Sequence, residues 1–161
     1  MRTKEETTEL AFRAWVRSHG LFRQEMDAYF HKHGLSGAQW GVLRTLQRAE
    51  TEAGLHGVPL GELGRRMIVK APSVSGVVDR LERQGLVERV ASLTDLRSKE
   101  VRLTVEGRSL VESIVATHRT QRERVFGCFS ATEQRALLKL LNKLETHFET
   151  LGHKTAFSFK K

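Results

Sequence analysis

PLGELGRRMIVKAPSVSGVVDRLERQGLVERV, residues 59–90, followed by KEVRL at 99–103, is the stretch where local signals are densest. Both prolines of the chain, Pro59 and Pro72, fall within it. Pro59 starts a short helix through about Met67, with Leu60, Leu63 and Met67 inward. Pro72 suits the first turn of a second helix, where a missing N–H costs nothing. Val74, Val77, Val78 and Leu81 form the buried stripe of that helix, and Gly85 closes it. Leu86 to Val90 and Glu100 to Leu103 alternate as two short strands, with the polar loop Ala91 to Lys99 between them.

Helix, tight turn, helix and hairpin in this order make a winged helix-turn-helix, and residues 59–103 fill it in about the minimum length. The first helix braces the second, which presents its N-terminal residues to a major groove. With one stripe in the core, helical geometry turns Ser75, Gly76, Asp79, Arg80 and Arg83 outward. Ser73 and Ser75 sit where the helix dipole and free N–H groups favour phosphate. Arg80 and Arg83 can neutralise the nucleic-acid backbone. Asp79 has Arg83 four residues on, at ion-pair spacing. It either orients that arginine without touching DNA, or forms a solvated surface pair of little worth.

The hairpin loop Asp95-Leu96-Arg97-Ser98-Lys99 puts long cations beside a carboxylate. Arg97 at such a tip can enter a narrow minor groove, with Asp95 holding its guanidinium and Lys99 adding charge. The same residues also suit an ordinary turn with a solvated arginine. Both readings stand on the sequence.

Outward from this segment the chain reads as helix. Phe12, Trp15, Val16, Phe22, Met26, Tyr29 and Phe30 have helical spacing over 7–32, and Gly34 ends that helix. Ser36 with Gln39 is a capping box opening a helix with stripe Trp40, Leu43 and Leu46. Thr51 to Val58 reads as a loop. Two long helices follow at about 105–127 and 131–150; Ser130 with Glu133 caps the second, whose stripe is Leu137, Leu141, Leu144, Phe148 and Leu151. The fold class is therefore mainly α with a small β-hairpin wing.

The whole chain has 161 residues, 39% hydrophobic and 29% charged, enough to bury a core and too apolar for a disordered tail. Its net charge of +8 is diffuse: +1 over residues 1–58, +3 over 59–103, +1 over 104–127 and +3 over 128–161. An acidic partner fits that charge, but only geometry can place the binding face. One cysteine, Cys128, excludes an internal disulfide framework and an all-cysteine zinc site, and is expected to be a buried, inert thiol. The acidic N-terminus lacks a signal-peptide apolar stretch and no run reaches membrane-span length, so a soluble cytoplasmic protein is expected. No phosphate loop, nucleophile elbow or spaced carboxylate pair argues for an enzyme. The histidines show no ligand spacing on a helix, so neither metal nor cofactor is expected.

The run Leu60-Gly61-Glu62-Leu63, Pro72-Ser73-Val74-Ser75 and Val78-Asp79-Arg80-Leu81-Glu82-Arg83-Gln84-Gly85-Leu86-Val87-Glu88-Arg89 resembles the MarR family of transcriptional regulators. So do Asp95, Arg97, Ser98 and Lys99 with Val101-Arg102-Leu103-Thr104 and Gly107, and Leu35-Ser36 with Gln39-Trp40. The resemblance spans about residues 10–150. It implies a homodimer whose dimerisation region is 1–34 with 105–161 and whose DNA-reading lobe is 35–104. It implies a repressor on a pseudo-palindromic operator in double-stranded DNA. It also implies release by a small aromatic or phenolic ligand, for which the matching residues are Trp15, His19, Phe22, Trp40 and His118. Plain core packing of those rings is the alternative. Gly76 departs from the family pattern, since relatives often carry a larger polar side chain there. A winged-helix module that binds protein and not DNA is the rival that Gly76 leaves open.

Overall fold

A computed structural model describes residues 3–67, 73–92 and 99–152. The chain divides into two compact units, one up to Gly37 and one from Ala38 onward.

The first unit is α1 (Lys4–His31). It begins earlier than the apolar periodicity suggests because Thr3 and Glu6 form a capping box. The Glu6 N–H donates to Thr3 Oγ1 at 3.2 Å and the Thr3 N–H to Glu6 Oε2 at 2.8 Å. At the other end Gly34 takes φ +71°, and the Leu35 N–H reaches the Phe30 carbonyl at 3.1 Å. Tyr29 and Phe30 are buried, whereas Phe12, Trp15, Val16 and Phe22 are exposed in the single chain.

The second unit holds α2 (Gly37–Ala53), β1 (Val58–Pro59), α3 (Leu60–Arg66), α4 (Val74–Arg83), β2 (Val87–Ala91), β3 (Lys99–Leu103), α5 (Val105–Phe126) and α6 (Ala131–Thr150). The expected loop 51–58 is shorter than its polar composition implies. The α2 helix runs on to Ala53, where Gly54 at φ +64° ends it. Val58 and Pro59 then form a third strand opposite Val101 and Glu100, giving the antiparallel order β1-β3-β2. Pro59 is the residue before α3 and not its first turn. It sits on an edge strand, where a missing N–H is tolerated.

Leu43 and Leu46 of α2, Leu63 of α3, Leu81 of α4, Leu103 of β3 and Ile114 of α5 are all fully buried. Each such side chain stabilises the fold by about 1.5–3 kcal/mol relative to exposure. Val77, Val78 and Leu81 face this core as expected, but Val74, one turn earlier, is only half-buried. Ser73 caps α4 by accepting the Gly76 N–H at 3.1 Å, and Gly85 at φ +71° turns the chain back into β2. Pro72 lies outside the described residues.

The start of α5 is locked to that turn. Thr104 caps the helix by accepting the Gly107 N–H at 3.0 Å, and its hydroxyl donates to the Gly85 carbonyl at 2.7 Å. Gly107 itself rests on the chain at Leu86 so closely that a Cβ would lie 2.0 Å from the Leu86 carbonyl oxygen. The capping box Ser130/Glu133 opens α6 as expected. Along that helix Leu137, Leu141 and Leu144 are half-buried, while Leu138, Leu140, Phe148 and Leu151 are exposed in the single chain.

Candidate nucleic-acid interface

The exposed side of α4 carries two neighbouring stripes. Ser75, Asp79 and Glu82 follow one, at spacings of four and three residues, and Gly76, Arg80 and Arg83 follow the other. Ser73, Ser75, Arg80 and Arg83 are exposed as expected, and Gly76 is half-buried. A Cβ at Gly76 would lie 3.4 Å from Ser73 Oγ, in ordinary contact, so the backbone does not demand glycine there. The start of α4 therefore offers hydroxyls and a bare backbone to a ligand, with two cations further along.

Asp79 does not pair with Arg83. The Arg83 guanidinium donates to the backbone carbonyl of Asp79 at 3.3 Å. The Asp79 carboxylate is held by Arg89 of β2, whose guanidinium also bonds Glu82 and whose backbone N–H donates to Glu82 Oε1 at 3.2 Å. The Gly85 reversal explains this choice, because it lays β2 back along the helix. Hydrogen bonding to Asp79 raises the Arg89 pKa further, against partial burial and with help from Glu82, so the group is a permanent cation. Sequence spacing alone points to the nearer arginine; a pair made across a chain reversal has no spacing signature.

The hairpin stem pairs Val87 with Leu103 through Ala91 with Lys99. On one face Arg102 donates to Glu88 directly opposite at 2.8 Å. Toward the tip the buried Ser92 hydroxyl donates to Glu100 at 2.6 Å. Lys99 is exposed at the start of β3. Asp95 and Arg97 lie outside the described residues. In α3, Glu62 holds Arg65 and Arg66 at 2.6 and 2.9 Å, and those hydrogen bonds, Arg66 first, lower its carboxyl pKa. The buried Gln39 of α2 donates to Gln84, just past α4, at 2.7 Å.

Of the expected ligand-site rings, Trp15 and His19 stack within α1 at 6.3 Å, and Phe22 is exposed on the same helix. In the second unit Trp40 of α2 stacks on His118 of α5, also at 6.3 Å. Burial, then the charges of Arg122 and Arg44, push the His118 pKa down. Burial and Arg48 likewise lower that of Arg44, with Glu52 opposing. Arg44 and Arg122 thus lie close enough to His118, the ring stacked on Trp40, to disfavour its protonation, and Arg48 adds its charge beside Arg44. Sequence reading missed these arginines, although Arg44/Arg48 and His118/Arg122 each have the four-residue spacing of one helix face.

Two open depressions lie elsewhere: one of about 430 Å³ between α5 and α6 at Phe126, Leu137 and Leu141, and one of about 510 Å³ at Val105 and Leu110. Neither is lined by Trp40 or His118. Among the described residues no group of histidine, cysteine and carboxylate side chains could hold a metal ion, and no helix is long and apolar enough to cross a membrane. Cys128, expected to be buried, is exposed in the turn between α5 and α6. The turn's two flanking helices leave that position outside the core.

The MarR family sequence profile matches residues 33–98, the span that contains α2, β1, α3, α4 and β2. The transcriptional repressor YetL of Bacillus subtilis is 30% identical over 127 residues, covering 79% of this chain and 72% of its own. The chain belongs to the MarR family. It is a transcriptional regulator of that family, and its relatives are named as regulators and not as enzymes. BpsR of Bordetella bronchiseptica is 26% identical, with a TM-score of 0.64 over 90% of this chain and 96% of its own. Its structure is described as a mechanism for regulating DNA binding by 6-hydroxynicotinic acid. MarR of Escherichia coli in complex with operator DNA shares the fold, with a TM-score of 0.72 over 89% of this chain and 99% of its own at 21% identity.

Proposed function

We propose that this MarR-family chain works as a homodimeric repressor that lays α4 of each copy into successive major grooves of a pseudo-palindromic operator. The observation that carries the reading is the exposed start of α4, where Ser73 and Ser75 precede the basic stripe of Arg80 and Arg83. Hydroxyls at a helix N-terminus suit base edges or phosphates, and the arginines suit the backbone beyond. Lys99 and, from the sequence, Arg97 with Asp95 supply the wing's contribution to the minor groove.

Dimerisation is supported by apolar faces that the single chain leaves uncovered. Leu10, Phe12, Val16 and Leu21 on α1, Leu138 and Leu140 on α6, and Leu151 just past its end, are each about half or more exposed. Large apolar side chains left this exposed along a helix are costly in water unless something covers them. A second copy does so while placing two reader helices on one duplex face. In this scheme 1–34 and 105–161 dimerise and 35–104 reads DNA.

Ligand response has separate support in the Trp40–His118 stack beside Arg44 and Arg122, which suits a small aromatic anion. A ligand that binds one spacing of the reader lobes more tightly than another lowers operator occupancy by its differential affinity.

The test is selection of bound duplexes from a random pool, followed by a salt titration on the winner. A palindromic consensus whose affinity falls steeply with salt is expected. No enrichment, or a flat titration, would replace this reading with the protein-binding module that Gly76 leaves open.

A further inference from the structure

The recognition helix carries its own obstacle to DNA. Asp79 and Glu82 share an exposed stripe with Ser75, directly beside the arginines that would meet phosphate. Within α4 the charges of Asp79, Arg80, Glu82 and Arg83 cancel, so the helix alone offers a polyanion no net attraction. The cation that changes this balance is Arg89, outside the helix. We infer that Arg89 is the positioning residue of the DNA interface: from β2 it ties down Asp79 and Glu82, so that two carboxylates on the reader helix do not repel the phosphate backbone. The inference rests on the DNA-binding reading above.

Three observations support it. Arg89 reaches both carboxylates at once through separate guanidinium nitrogens, a two-handed arrangement that lysine cannot copy. Its backbone N–H adds a third bond, to Glu82, so strand β2 itself holds the clamp in place. Arg89 is also far less exposed than Asp79, with side-chain accessibilities of 21% and 53%, so the clamp lies beneath the stripe it neutralises. Arg83 and Arg80 meanwhile stay on the neighbouring stripe.

A merely structural clamp and an electrostatic one make different predictions for the full-length protein on a mixed-sequence duplex long enough for two half-sites. Arg89→Ala should weaken binding at least tenfold. Adding Asp79→Asn and Glu82→Gln to Arg89→Ala should restore binding to within threefold of the wild type, although no ion pair is rebuilt. The double variant Asp79→Asn with Glu82→Gln in the wild-type background should bind more tightly than wild type, and it keeps the inference testable if Arg89→Ala does not fold. Equal binding by a folded Arg89→Ala, a folded triple variant as weak as the single, or a double variant no tighter than wild type would each overturn the inference. A wild-type protein with no affinity for duplex DNA at low salt is a distinct result: it would remove the DNA-binding reading itself.

Discussion

The guanidinium of Arg89 is hydrogen-bonded to the carboxylate of Asp79, ten residues earlier on the recognition helix. That bond and its neighbour to Glu82 join the wing sheet to α4 across the Gly85 turn. The reader helix and strand β2 thus share two ion pairs, each partly exposed and so of modest worth to stability, which leaves their charge as the larger effect.

The same turn depends on a close backbone approach at Gly107. Gly107→Ala would gain helix propensity of about 1 kcal/mol but drive a methyl into the Leu86 carbonyl. A net loss of about 2 kcal/mol or more is expected, at the upper end of overpacking costs. Gly85→Ala meets no atom within 4 Å and suffers only the left-handed backbone, about 1–2 kcal/mol. Urea midpoints of the two variants should fall in that order; the reverse order would contradict the packing at Leu86.

Arg80 and Arg83 are exposed and contribute little to the fold. Each change to alanine should leave the urea midpoint within about 0.5 kcal/mol of wild type while weakening operator binding. If these groups contact phosphates, the slope of log affinity against log salt should shrink by about one for each. An unchanged slope in both variants would remove them from the interface. Arg97→Ala, in the loop that the sequence reads as the wing tip, should cost about 1–3 kcal/mol of operator binding, and an unchanged affinity in a gel-shift titration would remove that residue from the interface.

Leu138 and Leu140 project from α6 with 59% and 64% of their surface exposed. Leu138→Glu with Leu140→Glu should halve the mass seen in sedimentation and abolish tight operator binding, with helical circular dichroism preserved. A variant that still sediments as a dimer would place the interface elsewhere.

His118 gives a pH dependence of defined sign. Burial and the flanking arginines hold its folded-state pKa below the ordinary 6.5, so below about pH 6.5 the unfolded chain binds the extra proton first. Stability is therefore full above that value and declines as pH drops from it toward the folded pKa. Urea midpoints measured from about pH 7.5 to about 5.5 should show this fall in the wild type and less of it in His118→Gln. Equal slopes in the two proteins would show that the imidazole is not held neutral by its surroundings. An aromatic acid bound beside Arg44 and Arg122 should reduce the difference, because its charge favours the protonated ring.

The elements that rest on short-range chemistry were legible in the residues. Ser73 before Val74, Gly85 after Gln84, Thr104 before Val105 and the Ser130/Glu133 box mark helix ends through bonds spanning three to five residues. The alternation through Val87 and Val101 likewise marks the hairpin, and the Thr3/Glu6 box was equally readable although periodicity placed the helix start later. What required the folded chain were relations with no fixed spacing. The two-residue strand at Val58 exists only because β3 has a free edge there. Arg89, and not Arg83, takes Asp79 because a reversal brings β2 onto the helix, and Arg44 meets His118 only when α2 and α5 pack. Local bonds are set by neighbours in the chain, whereas ion pairs and ring stacks across elements are set by which surfaces burial brings together.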